Sequence, residues 1–136
     1  MTIKDTSAMI AGMTPKLLPG MWVFCTTQDR EVLAAAAPDA LAVIREPEGV
    51  TLILPQEIAN KHAFDASFCL RQITLTVFSD LEGVGLTAAV ATALTQANIP
   101  CNVVAAFHHD HVFVPQGDAD RAMEALIALQ RSKQGA

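Results

Sequence analysis

The stretch AAFHHDHVFVP (105–115) places His108, His109, Asp110 and His111 side by side, three imidazoles and a carboxylate. Such groups are the common donors of zinc and other transition-metal sites. In an extended chain, side chains alternate between faces, so His109 and His111 would share one face and His108 and Asp110 the other. Two imidazoles on a face fall short of the three or four protein ligands that zinc usually takes. The only other histidine is His62, and no cysteine or carboxylate motif accompanies the pair. The cluster therefore predicts a polar hairpin tip running into a strand, with no metal and no cofactor expected. Metal binding by His108–His111 is the lesser alternative.

A second stretch, SDLEGVGL (79–86), offers different chemistry. It joins a strand to a helix start, where backbone N–H groups lack intrahelical partners and the helix dipole favours an anion. Gly83 and Gly85 permit positive φ or close backbone approach. A ligand carboxylate could sit there while Ser79 or Asp80 receives its ammonium group. The candidate ligand-binding residues are Ser79, Asp80, Glu82, Gly83, Val84, Gly85 and Leu86. The plainer alternative is a turn whose helix is capped by Ser79 or Asp80, with nothing bound. The spacing is not G-x-G-x-x-G and no Walker lysine follows, which disfavours a nucleotide.

No catalytic constellation emerges. Asp80 and Glu82 have no nucleophile or metal partner beside them and read as solvated loop charges. Ser79 lacks the G-x-S-x-G setting. Cys25, Cys69 and Cys101 are odd in number, far apart and without C-x-x-C, so they read as small buried hydrophobes in a reducing compartment. Trp22 is a core or subunit-interface residue by the same logic.

The elements that must position these residues are legible from period and punctuation. Residues 21–27 (MWVFCTT), the pair 40–46 and 50–55 around the turn PEG, residues 71–79 (RQITLTVFS), and 99–107 with 111–115 read as strands. Helices are expected near the N-terminus, over 28–37, after Pro55, over 86–98 and over 117–133. The segment TPKLLPG (14–20) reads as a breaker. Two stretches match between the halves: VFCT (23–26) with VFSD (77–80), and LILPQEIA (52–59) with VFVPQGDA (112–119). The chain is therefore read as a duplicated β-α-β-β-α unit of split βαβ, ferredoxin-like type. The second copy lacks a final strand; either its sheet is shorter or a strand from the other half completes it.

At 136 residues, 51% hydrophobic and 17% charged, the chain suits one domain or two small packed units. A net charge of −5 gives no electrostatic reason to approach nucleic acid or anionic lipid. No apolar run reaches the ~20 residues of a membrane span, and no signal peptide is visible, so a cytoplasmic location is expected.

The stretch from VFSD to VFVP (77–115), together with REPEGVTLILP and MTPKLLPGMWVF, resembles the ACT-domain superfamily. Within it, the chain is similar to small bacterial tandem ACT-like proteins related to CASTOR-type amino-acid sensors. The resemblance implies an α+β fold of two tandem ferredoxin-like (βαββαβ) units, residues 1–66 and 67–136, with antiparallel sheets and helices on one face. It also implies a non-catalytic regulatory module that binds a small molecule, typically an amino acid, at the 79–86 loop of a homodimer. The alternative is a structural interaction subunit without ligand.

Overall fold

The computed structural model describes residues 5–77 and 80–135. The chain is α+β and forms two compact units. One contains residues Gly20–Leu70, the other Met1–Pro19 together with Arg71–Ala136.

In the Gly20–Leu70 unit, β2 (Trp22–Thr27) is followed by α2 (Arg30–Ala36), β3 (Ala42–Glu46), β4 (Gly49–Pro55) and α3 (Gln56–Lys61). The strand order is β3-β4-β2, antiparallel throughout, and Leu70 pairs with Trp22 on the outer side of β2. Alternation along the strands sets the buried face: Val23 and Cys25 oppose Leu54 and Leu52 and pack under Ala36 and Ala59 from the two helices. Asp29 starts α2 by accepting the N–H groups of Glu31 and Val32 at 2.8 and 3.3 Å.

The second unit runs β5 (Leu70–Leu75), α4 (Leu86–Gln96), β6 (Asn102–Ala105), β7 (Asp110–Pro115) and α5 (Ala119–Gln134). It also takes in α1 (Thr6–Ala11) and β1 (Pro15–Leu17) from the N-terminus. Its strand order is β1-β5-β7-β6. This answers the question of the missing last strand. Pro15, Lys16 and Leu17, expected to be a breaker, pair antiparallel with Leu75, Thr74 and Ile73 and occupy the fourth position of the ferredoxin-like sheet. Prolines at both ends of TPKLLPG are compatible with a short outer strand, which needs few ladder donors. The N-terminal helical segment, expected with the first unit, likewise packs among residues of the second. Met9, Ile10 and Met13 join Ile73, Leu75, Leu86, Val90, Leu94, Val112 and Leu126 in one core.

Side chains of α5 secure the turn between α1 and β1. Gln130, buried, donates to the Ala11 carbonyl at 2.8 Å and the Thr14 hydroxyl at 3.0 Å. Thr14 there takes φ 34°, a value uncommon for a residue with a Cβ. The duplicated Pro-Gln junction also has a duplicated conformation. Pro55 before α3 has φ −55° and ψ 144°; Pro115 before the short 3-10 turn that leads into α5 has −53° and 141°. Proline fixes φ where a strand must swing into a helix, which accounts for the match between the halves.

Candidate functional site

Between the end of β5 and α4, the backbone is shaped by local hydrogen bonds that the residue types dictate. Asp80 Oδ1 accepts the Glu82 N–H at 2.8 Å, and the Asp80 carbonyl accepts the Gly83 N–H at 2.9 Å. Gly85 stands at the N-cap of α4 with φ +105°, a conformation reserved in practice for glycine. α1 lies directly behind the loop: the Thr6 hydroxyl donates to the Val84 carbonyl. A Cβ on Gly83 would come within 3.1 Å of the Met9 thioether, and one on Gly85 within 2.8 Å of Thr6 Cγ2.

Beside the loop lies a cleft of about 550 Å³. Asp80, Gly83, Val84, Gly85 and Leu86 line it, as expected from the sequence. Glu82 is exposed and is not among the lining residues. Ser79 lies outside the described residues. The first turn of α4 contributes Thr87 and Ala88, and the N-cap residue is Gly85, which has no side chain to cap it; the expected cap Ser79 lies outside the described residues. Met9, Ala91 and Ala105 supply apolar wall.

Sequence reasoning missed Asp110. It was grouped with the histidines at a hairpin tip, but it begins β7, is only 8% exposed and lines the cleft opposite the loop. The signal was the alternation of β7. Residues 110, 112 and 114 share a face, and Val112 and Val114 are core. The cleft thus combines two carboxylates, a helix start without a side-chain cap and small apolar walls. Those are the complements of an ammonium group, a carboxylate and a small organic body.

The histidines have other positions. His108 is exposed beside Phe107, their rings 5.1 Å apart. The Nδ1 of His109 lies 3.3 Å from the Val77 carbonyl. His111 projects from the face opposite Asp110, its Nδ1 3.1 Å from Gln72 Nε2 and 3.0 Å from Thr74 Oγ1. Among the described residues, no three His, Cys, Asp or Glu side chains gather as a metal-holding group. Burial pushes the Cys25 and Cys101 thiols up, which keeps them protonated at neutral pH and poorly nucleophilic.

Burial, and secondarily the neighbouring His109, hold the His111 imidazole below its ordinary 6.5, against an opposing pull from Asp110. As pH falls through 6.5, the unfolded chain therefore takes up this proton before the native one does, and stability drops until the native imidazole also titrates. Urea midpoints measured from pH ~7 down to pH ~5 should show this loss, and His111→Gln should remove that component. Identical pH slopes in the two proteins would show that His111 contributes none of it.

Models of the ACT domain match residues 2–71 and 70–128. Among curated proteins nothing matches. A crystal structure of the Vibrio cholerae protein VC0802, of unknown function and described as a possible transport protein, is 41% identical. The match covers 88% of this chain and 92% of that one, with a TM-score of 0.78. The fold is shared at low identity with the regulatory subunit of aspartate kinase from Thermus flavus (9%, TM-score 0.61, 85% of this chain and 95% of that one). It is also shared with E. coli aspartokinase III in complex with aspartate and ADP (15%, TM-score 0.59, 85% of this chain and 32% of that one).

Proposed function

The chain belongs to the ACT-domain family, and on that premise we propose that it is a non-catalytic regulatory module that binds an amino acid in the cleft beside residues 80–86. The observation that carries this is the composition of the cleft. An α4 start without a side-chain cap offers N–H groups to a carboxylate, Asp80 and Asp110 offer charge to an ammonium group, and Met9, Ala91 and Ala105 receive an aliphatic part. In this reading Asp80, Gly83, Val84, Gly85 and Leu86 form the loop side of the site, with Ser79 and Glu82 flanking it. Regulation would follow from differential binding, because a ligand that holds the loop against α1 favours the packing in which Thr6 bonds Val84.

A thermal-shift screen of the proteinogenic amino acids tests the reading. At least one should raise the midpoint steadily with the logarithm of its concentration, the added stability reaching about 2.7 kcal/mol at a hundredfold excess over its Kd. A flat response across the set would remove the amino-acid reading and leave the interaction-subunit alternative.

We also propose a cytoplasmic homodimer. The three cysteines are free thiols, and β3 is an outermost strand carrying exposed Val43 and Ile44, with exposed Leu41 just before it. Light scattering should return a molar mass twice the 14.5 kDa of the chain, and a monomer at micromolar concentration would end this part of the proposal. No nucleic-acid or membrane partner is proposed; no described helix is long and apolar enough to cross a membrane.

A further inference from the structure

The duplicated β-α-β-β-α pattern has no place for α1, yet α1 supplies part of one cleft. In the Gly20–Leu70 unit, the cleft at the end of β2 is lined by residues between Thr27 and Val50, all from within the pattern. The cleft beside residues 80–86 adds Met9, brought in by α1 from far earlier in the chain. Its role there is particular to that one side chain. Ile10 and Met13 are also buried and join the same core, but neither lines the cleft. Met9 is 1% exposed, whereas Leu81 and Val84 are 68% and 76% exposed, so Met9 forms the floor and those two stand at the mouth. The thioether lies close against Gly83, where a Cβ would come within 3.1 Å of both Sδ and Cε. A residue without a Cβ is what admits it there.

The backbone that carries Met9 is pinned at both ends. At the start of α1, the Asp5 carboxylate accepts the Ala8 N–H at 2.8 Å and the Asp5 carbonyl accepts the Met9 N–H at 2.8 Å. At its other end, the Ala11 carbonyl accepts from the Gln130 amide at 2.8 Å and the Gln134 amide at 3.0 Å. What can adjust is the side chain, which is unbranched, polarizable and rotatable about three bonds. A ligand side chain that enters past Leu81 and Val84 therefore stops at a thioether, whose length fixes the depth of the cleft. We propose that Met9 is a specificity-determining residue, which selects among amino acids by the size of their side chains. The proposal rests on the amino-acid reading of this cleft.

The test is a thermal-shift titration of the full chain with each proteinogenic amino acid, run on the parent, Met9→Ala, Met9→Leu and Met13→Leu. The readout is the ratio of affinities between the parent's best ligand and amino acids with larger side chains, which a general loss of stability does not move. Met9→Ala should shift that ratio toward the larger side chain by about tenfold or more, the effect of a methylene or two in an apolar pocket. Met9→Leu, a milder change that keeps most of the volume, should shift it less and in the same direction, and it carries the test if Met9→Ala does not fold. Met13→Leu, in the same core but outside the cleft, should leave the ratio where it was. Ratios unchanged in the Met9 variants, or changed as much by Met13→Leu, would overturn the proposal while leaving the amino-acid reading intact. A parent that responds to no amino acid would end that reading, and this role of Met9 with it.

Discussion

Gly85→Ala should lower the stability of this protein by about 3 kcal/mol, a fall in melting temperature of roughly 10 °C for a chain of this size. Two separate costs add. At φ +105° a residue with a Cβ is strained whatever surrounds it. The new methyl would also meet Thr6 Cγ2 at 2.8 Å and its hydroxyl oxygen at 3.0 Å. Thr6 cannot simply rotate away, because its hydroxyl is held by the Val84 carbonyl. The two costs can be separated. Thr6→Ser removes Cγ2 but keeps the hydroxyl, so in the double variant the part of the steric cost due to Cγ2 should be recovered, while the contact with the hydroxyl oxygen and the backbone part, on the order of 1–2 kcal/mol, should remain. A Gly85→Ala protein as stable as the parent would mean that the loop does not rest on α1 in this way. Urea unfolding monitored by both fluorescence and circular dichroism is the suitable measurement, since two units need not melt together.

That loop was readable from the sequence because glycine carries local information: a residue without a Cβ at a strand-to-helix turn has few other reasons to be there. The same holds for the Pro-Gln junctions at Pro55 and Pro115, where fixed φ made the internal duplication visible. Strands β2, β4 and β7 were legible because each is a run of apolar and β-branched residues bounded by turn formers. What failed was long-range. Nothing in Pro15, Lys16 and Leu17 announces a strand, since a three-residue outer strand has no period to detect and gains its ladder from Ile73, Thr74 and Leu75 far along the chain. The membership of α1 was hidden for the same reason, because Met9 and Met13 pack with residues of α4 and α5 far along the chain. Asp110 was misplaced by its neighbours. Three histidines drew it into a polar tip, while the face it shares with Val112 and Val114 makes it a buried wall of the cleft.

Gly83→Asp should abolish the response to whichever amino acid stabilises the parent, weakening binding by more than about a hundredfold, or roughly 3 kcal/mol. The expected loss is steric and electrostatic together. A Cβ at this position stands 3.0 Å from the Asp80 carbonyl oxygen, which is backbone fixed by its own bond from the Gly83 N–H, and 3.1 Å from Met9. The Met9 thioether can yield; the carbonyl cannot, so the loop must move, and the loop is the wall of the site. The added carboxylate then joins Asp80 and Asp110 around one cleft and repels the ligand carboxylate meant for the start of α4. Gly83→Ala separates the two effects. It carries the same Cβ without the charge, so it should share most of the stability cost, about 1 kcal/mol, and lose much less affinity. If both variants fold and the ligand-induced shift survives Gly83→Asp, the ligand does not sit against this loop. If affinity falls equally in the two, loop geometry alone governs binding and the electrostatic part of the reading is wrong.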